Sequence, residues 1–271
     1  MPEGHVIHRL AQATMQHFGD QPVRVSSPQG RFAEAAALLD GSRVQGASAC
    51  GKHLFIDFDA DAPEHVVHIH LGLIGKFFFA PLAEPRGAVR LRITDGSTAA
   101  DLHGPQMCRL IGAVEQQEQI AKLGPDPIRL DADPEVAWQR IHRSNRSIAS
   151  LLMDQKVTAG VGNIYRAEVL FRHRVRPTTP GNRLKRSTWE AIWADLVVLM
   201  RAGVEVGRID TVELEHTPEQ MGREPRVDRH GGEVYVYRRA GLPCWVCGTE
   251  VRTQDLEGRN LYWCPTCQRG R

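Results

Sequence analysis

Ile7, Leu10, Ala11, Thr14 and Phe18 recur at helical spacing and line one face of an amphipathic helix. From residue 23 to about 114 the period shortens. Alternating or continuous apolar runs at 23–27, 54–58, 66–70, 76–79, 89–93 and 109–114 are separated by Gly, Pro or Asp and predict short strands, with a helix at 33–39. That pattern predicts an all-β sandwich or barrel with helical decoration. The Leu-Gly-Pro-Asp-Pro stretch at 123–127 reads as a linker. Beyond it the helical period returns. Residues 134–142 open on an Asp cap with Pro at the first position, 148–153 form a short apolar helix, and a two-glycine turn at 158–162 leads into a helix over 163–173. Trp189, Ile192, Trp193, Leu196 and Leu199 predict the longest helix, over 188–202, and the polar, irregular 207–232 reads as a loop.

A chain of 271 residues with these two regimes is read as two domains. The first residues carry Glu3 and three histidines by position 17 in place of an apolar core, and no uncharged run is long enough to span a bilayer. A cytoplasmic, nucleoid-associated protein without membrane contact is expected. The net charge is only +2, but its distribution is uneven. Between 140 and 186 the chain carries Arg140, Arg143, Arg146, Lys156, Arg166, Arg172, Arg174, Arg176, Arg183, Lys185 and Arg186 against Asp154 and Glu168 alone. Such an excess on a near-neutral whole is the footprint of a polyanion-binding face.

Cys244-Trp-Val-Cys247 and Cys264-Pro-Thr-Cys267, sixteen residues apart, supply four thiolates to one zinc ion. With every position filled by protein, the zinc is structural. It holds a hairpin whose tip carries Glu257-Gly-Arg259-Asn260, where an arginine either grips a phosphate bidentately or is a solvated turn residue. Cys50 and Cys108 stand alone and are read as reduced thiols.

The start Met1-Pro2-Glu3-Gly4 offers a second chemistry. Methionine before proline is normally trimmed, which leaves the secondary amine of Pro2 as the chain terminus. An α-amino group titrates near pH 8 and a lysine near 10.4, so at neutrality the terminus is roughly a hundredfold richer in free base. Its attack on a sugar carbon yields an iminium, an electron sink for later eliminations. Glu3, beside it, is placed to move protons. The alternative is an ordinary N-terminal helix that happens to begin Met-Pro.

Three weaker signals join these. Gly160-Val-Gly162-Asn163 exposes backbone N–H groups at a helix start, with the Asn163 amide as a further donor toward a nucleic-acid backbone. Gly51-Lys52 precedes a strand, a place where most lysines are simply exposed. In His68-Ile-His70-Leu-Gly72-Leu73-Ile74-Gly75, His70 is a candidate phosphate contact, and two bulky aliphatics stand between glycines. Glu168 is read as a salt-bridge partner rather than a catalyst.

Taken in order, Pro2-Glu3-Gly4, Gly51-Lys52, His70-Leu-Gly72, Asp154-Gln155 through Gly162-Asn163-Ile-Tyr, and Gly258-Arg259-Asn-Leu-Tyr-Trp-Cys264-Pro-Thr-Cys267-Gln268 resemble the formamidopyrimidine-DNA glycosylase and endonuclease VIII family. The Met-Pro-Glu-Gly start is similar to the endonuclease VIII branch, in its actinobacterial form. The resemblance implies an α+β chain of two domains: an N-terminal β-sandwich with flanking helices (1–124), and a helix-two-turn-helix domain (125–239) followed by a zinc-finger hairpin (240–271), with DNA in the cleft between. It also implies a monomer acting on DNA with oxidised bases or abasic sites.

The implied reaction is excision of an oxidised pyrimidine by Pro2, through a Schiff base, followed by β- and δ-elimination. Glu3 protonates the sugar ring oxygen. Lys52, His70, Asn163 and Arg259 hold the phosphates around an everted nucleotide, and Lys52 and Arg259 assist the two eliminations, Arg259 by stabilising the leaving group. Where many members have Pro and an acid at positions 5 and 6, this chain has His5 and Val6. Leu73 is the candidate wedge, with Ile74 as a candidate companion, and the second loop, Gly104-Pro-Gln-Met-Cys-Arg109, lacks an aromatic. A preference for single-stranded, bubble or forked DNA is therefore expected. The alternatives are a glycosylase for formamidopyrimidines and 8-oxoguanine and, from another class, a non-catalytic DNA or RNA binder on the same scaffold.

Overall fold

A computed structural model describes residues 2–228 and 232–269. The chain divides into two compact units, Met1–Lys122 and Leu123–Arg271.

The first unit opens with helix α1 (Gly4–Phe18), which buries Ile7, Ala11, Thr14 and Phe18 as the spacing predicts. Two four-stranded antiparallel sheets follow. One is ordered β2 (Val44–Cys50), β3 (His53–Phe58), β4 (Val66–His70) and β8 (Met107–Ile111). The other runs β1 (Arg24–Ser26), β6 (Val89–Thr94), β7 (Thr98–His103) and β5 (Lys76–Pro81). Leu54, Ile56, Val67 and Ile69 of the first sheet share a core with Phe77, Leu91, Ile93, Ala100 and Leu102 of the second, and with Ile7, Ala11 and Phe18 of α1. The predicted sandwich is therefore the fold of this unit. Helix α2 (Ala33–Leu39) occupies its predicted span, whereas the run 109–114 splits: β8 ends at Ile111 and helix α3 (Ala113–Ala121) begins two residues later.

The second unit is helical. Helix α4 (Pro134–His142) is capped by the Asp133 carboxylate on the Glu135 amide, and α5 (Ile148–Met153) by Ser147 on the Ser150 amide. Helices α6 (Asn163–Arg172) and α7 (Arg186–Val206) pack Ile164, Tyr165, Trp189, Ile192, Leu196 and Met200 into one core. Cys244, Val251, Leu261, Tyr262 and Cys264 of the C-terminal segment belong to the same core. Strands β9 (Arg252–Leu256) and β10 (Arg259–Trp263) form the predicted hairpin. The stretch read as a loop at 207–232 contains a 3-10 turn at Leu214–His216 and helix α8 (Pro218–Met221), and residues 229–231 of it lie outside the described ones.

Glu168 departs from its expected role. Its carboxylate is wholly buried and accepts from the backbone amides of Tyr235 (2.7 Å), Val236 (2.9 Å) and Tyr237 (2.8 Å) and from the Thr211 hydroxyl (2.7 Å). It ties α6 to a segment nearly seventy residues onward; among the described residues its hydrogen bonds come from neutral donors, with the Arg239 charge acting on it without an ion-pair contact. Replacing it with leucine strands three buried amides, each costing about 1–3 kcal/mol. Glu168→Leu is thus expected to lower unfolding free energy by at least about 3 kcal/mol, read from urea denaturation of the zinc-loaded chain.

Candidate functional site

In the first unit, Glu3 is the N-cap of α1, with extended backbone (φ −107°, ψ 175°), and its carbonyl accepts from the Val6 amide at 3.0 Å. Its side chain is 3% exposed, so a carboxyl sits buried one residue from the Pro2 nitrogen, at the positive end of a 15-residue helix. Pro2 is half-buried. Helix α1 lies against β2 and β3, the strands whose connection carries Lys52.

That connection is as short as a hairpin allows. Cys50 pairs with His53, leaving Gly51 and Lys52 as a two-residue loop. Gly51 takes φ +60° while Lys52 keeps a negative φ, the arrangement of a type II′ turn that needs glycine first. Lys52 is 9% exposed, unlike most lysines beside a turn glycine. Burial of a cation at a tight turn sets it apart from a solubilising surface lysine.

His70 lies across from His53 in the β3–β4 register, with ring centroids 4.8 Å apart. Two residues on, His68 stacks on Phe55 at 4.5 Å, and its Nε2 is 2.8 Å from His53 Nδ1. Burial foremost, then interaction with His70 and Lys52, lowers the His53 pKa to about 4; burial, then His53, Arg109 and His70, lowers that of His68 to about 3. The same causes, with Lys52 as the nearby charge, lower His70, although a hydrogen bond with Gln106 opposes them. All three imidazoles are neutral at pH 7.

The loop from β4 to β5 crosses from one sheet to the other in five residues, Leu71 to Gly75. Gly72 has φ +70°, and a Cβ there would lie 2.7 Å from Gln106 Cβ. At Gly75 a Cβ would come within 2.2 Å of the Leu71 carbonyl oxygen, which accepts the Gly75 amide at 3.1 Å. The glycines close the turn and leave Leu73 56% and Ile74 80% exposed. The second loop sits beside the first, since Gln106 N also donates to Leu71 O at 3.3 Å. Cys108 faces the sandwich core, where burial pushes its thiol up to about 12, and Cys50 is buried.

In the second unit, the Asp154-Gln155 motif organises the turns before α6. Gln155 donates to the carbonyls of Met153 (3.0 Å) and Val161 (2.9 Å) and accepts from the Gly160 amide (3.0 Å). Gly160 has φ +83°. Asn163 then opens α6, but its amide is turned to the zinc hairpin: Nδ2 donates to the Asn260 carbonyl at 2.9 Å, and Oδ1 accepts from Arg166. One Nδ2 hydrogen remains for a ligand. Arg146 bridges Asp154 (2.9 Å) and Glu257 (3.2 Å) at the hairpin tip. Glu257 and Gly258 both have positive φ (53° and 73°), the type I′ signature, so Arg259 is the first residue after the turn. Arg259 is half-buried and makes no ion pair among the described residues.

The structure brings Asn163 and Arg259 into one neighbourhood through the Asn260 carbonyl and the side chains of Arg146 and Arg166, which were legible in the sequence only as members of a basic run. That run is partly internal. Arg166 is 1% exposed, Arg172 pairs with Asp195 and Glu213, and Arg186 pairs with Glu135 and Glu190. Arg143, Lys156, Arg174, Arg176, Arg183 and Lys185 remain exposed.

The four zinc-motif sulfurs lie within 4.8 Å of one another, with Cys244–Cys267 at 3.9 Å and Cys247–Cys264 at 3.5 Å. Zn–S bonds of about 2.3 Å in a tetrahedron place sulfurs about 3.8 Å apart, so the set fits one zinc ion with no position open for chemistry. Gln268 fastens this knuckle, accepting from the Cys264 amide (2.9 Å) and donating to the Val175 carbonyl (3.0 Å).

Three family models match the chain: the formamidopyrimidine-DNA glycosylase N-terminal domain over 1–106, the formamidopyrimidine-DNA glycosylase H2TH domain over 123–214, and the zinc finger found in FPG and IleRS over 241–270. The chain is 49% identical to Endonuclease 8 1 of Mycobacterium tuberculosis, covering 99% of this chain and 100% of that one. It is 32% identical to the formamidopyrimidine-DNA glycosylase of Geobacillus kaustophilus over 86% of this chain and 84% of that one. Among solved structures, Lactococcus lactis formamidopyrimidine-DNA glycosylase non-covalently bound to AP-site DNA aligns with a TM-score of 0.78 at 22% identity, covering 98% and 99% of the two chains. MutM in complex with carbocyclic 8-oxo-G DNA aligns with a TM-score of 0.78 at 22% identity over 99% and 100%.

Proposed function

The chain belongs to the formamidopyrimidine-DNA glycosylase family and is a DNA glycosylase of base excision repair; on that premise we propose that it removes oxidised pyrimidines from DNA and cuts the strand through an iminium on Pro2. The observation that carries the reading is the buried side chain of Glu3, the N-cap residue of α1, one residue from the Pro2 amine. With Met1 removed, the Pro2 nitrogen attacks C1′, the C1′–base bond breaks, and the base leaves with a proton. Glu3 protonates the ring oxygen as the sugar opens. Loss of a C2′ proton expels the 3′ phosphate, and loss of a C4′ proton then expels the 5′ phosphate. Lys52 and Arg259 stabilise these leaving groups, with His70 and Asn163 as phosphate donors and Leu73 against the base stack. The endonuclease 8 name of the 49%-identical relative favours pyrimidine lesions over purine ones.

The test is borohydride trapping on an abasic-site oligonucleotide, single-stranded and duplex, with the trimmed N-terminus verified by mass. A covalent adduct with wild type, sharply reduced in Pro2→Gly, is expected. No adduct from a trimmed chain that binds the same DNA would leave a binding protein in place of an enzyme.

The wedge loop supports a finer reading. Its exposed side chains, Leu73 and Ile74, are aliphatic and fill little of the gap left by an everted base, so lesions needing little unstacking are favoured. Thymine glycol in single-stranded or bubble DNA should be excised faster than in a fully paired duplex. Equal or faster duplex cleavage in single-turnover kinetics would refute this.

A further inference from the structure

The sheet β2-β3-β4-β8 has a second face, opposite the sandwich core, on which the register sets His53 beside His70 and Met107, and Phe55 beside His68 and Arg109. The charged groups acting on its histidines are Lys52 from the turn and Arg109 from β8, and Arg109 is itself paired with Glu115 of α3 at 3.0 Å. No carboxylate is among the groups that shift His53, His68 or His70.

The hydrogen bond between His53 Nδ1 and His68 Nε2, at 2.8 Å, carries one proton, and the surroundings decide whose it is. His68 is 0% exposed, and its Nδ1 is buried with no partner. Were His53 the donor, the neutral His68 would hold its proton on Nδ1 as an orphaned buried N–H. Such donors are rarer in folded proteins than unsatisfied lone pairs. His68 therefore donates from Nε2. His53 Nδ1 is the acceptor, and the His53 proton resides on Nε2. That nitrogen is not among the buried unpartnered atoms and bonds to no described residue, so it presents a donor to solvent directly after Lys52.

We propose that His53 is a further DNA-phosphate contact, a neutral Nε2–H donor beside Lys52, and that His68 is the positioning residue that sets its tautomer. The assignment rests on the DNA-binding reading above. A neutral imidazole suits this place because an imidazolium would repel Lys52, whereas an uncharged N–H adds a directed bond to an oxygen that the lysine already attracts. The low pKa values of both rings agree with a donor that stays neutral throughout the physiological range.

The experiment measures binding of the zinc-loaded full chain to an oligonucleotide carrying a tetrahydrofuran abasic analogue, over a range of KCl concentrations. His53→Phe should weaken binding about three- to tenfold, the share of one neutral hydrogen bond, with the slope of log K against log salt unchanged. Lys52→Met should flatten that slope by about one, and His53→Gln, which keeps a donor, should recover much of the loss. Long-range 1H–15N spectra should show His53 protonated at Nε2 in wild type, and His68→Leu should erode that tautomer and weaken binding to a similar degree. Wild-type affinity in His53→Phe, a flattened slope in His53→Phe, or an Nδ1–H His53 in wild type would each overturn the proposal. A folded wild type that fails to bind the oligonucleotide would overturn the DNA reading itself, a result the variants cannot mimic.

Discussion

Glu3→Gln is expected to slow release of thymine glycol by about 10²–10⁴-fold, the usual contribution of a positioned general acid, while sparing reaction with a preformed abasic site. The asymmetry follows from the chemistry assigned to the carboxyl. Base release requires the sugar ring to open under protonation, but an abasic sugar already exists partly as the open aldehyde, which the Pro2 amine attacks without that help. Glutamine is nearly isosteric with glutamate and no helix-capping hydrogen bond from the side chain is lost, so the fold and the amine stay in place. Single-turnover excision and borohydride trapping, run on the two substrates in parallel, read the two steps separately. A variant that excises thymine glycol at the wild-type rate would remove Glu3 from the mechanism. Equal loss on both substrates would instead assign the carboxyl to holding the terminus in place.

Stripping the zinc is the second large perturbation. Zinc held by the knuckle thiolates would tie the hairpin with coordinate bonds, and Cys244, Cys264, Leu261 and Tyr262 also help fill the core shared with α6 and α7. In small zinc modules, metal binding of about 10–16 kcal/mol is folding free energy, so chelation should melt the hairpin and expose part of that core. Arg259 then loses its fixed place beside Asn163. Binding of abasic DNA should fall by about ten- to a hundredfold, the share of a charge-assisted contact, with a matching loss of strand cleavage. Cys264→Ser should behave similarly, and zinc added back should restore the chelated protein but not the variant. A metal-free chain that keeps its melting temperature and DNA affinity would make the zinc incidental.

Much of this architecture was written in local patterns. The α1 stripe, the Asp133 and Ser147 caps, the paired Cys-x-x-Cys knuckles and the Glu257-Gly258 turn each need only neighbours a few residues away. What escaped the sequence depends on partners far along the chain. Strand β2, Val-Gln-Gly-Ala-Ser-Ala-Cys, carries too little apolar or β-branched character to announce itself, and is held by β3 and by α1. Strand β7 is central in its sheet yet includes Asp101, opposite Arg92 at 3.7 Å, a buried pair that breaks the apolar alternation. The role of Glu168 was invisible because its donors begin at Thr211. Likewise His53 and His68 are fifteen residues apart, and only the β3–β4 register shows that they share a proton.

The state of the chain's sulfur has a consequence for survival under the conditions that create damaged bases. Peroxide reacts with thiolates, and the Cys108 thiol, pushed up to about 12 by burial, holds almost none at neutral pH. Cys50 is shut inside the first unit. Among the described cysteines, the thiol chemistry open to an oxidant is thereby gathered at the zinc knuckle, where Cys247 is exposed. Oxidant exposure would then reach the zinc hairpin before the thiols of the first unit, and thiols oxidised only to a disulfide are restored by reduction and a fresh zinc ion.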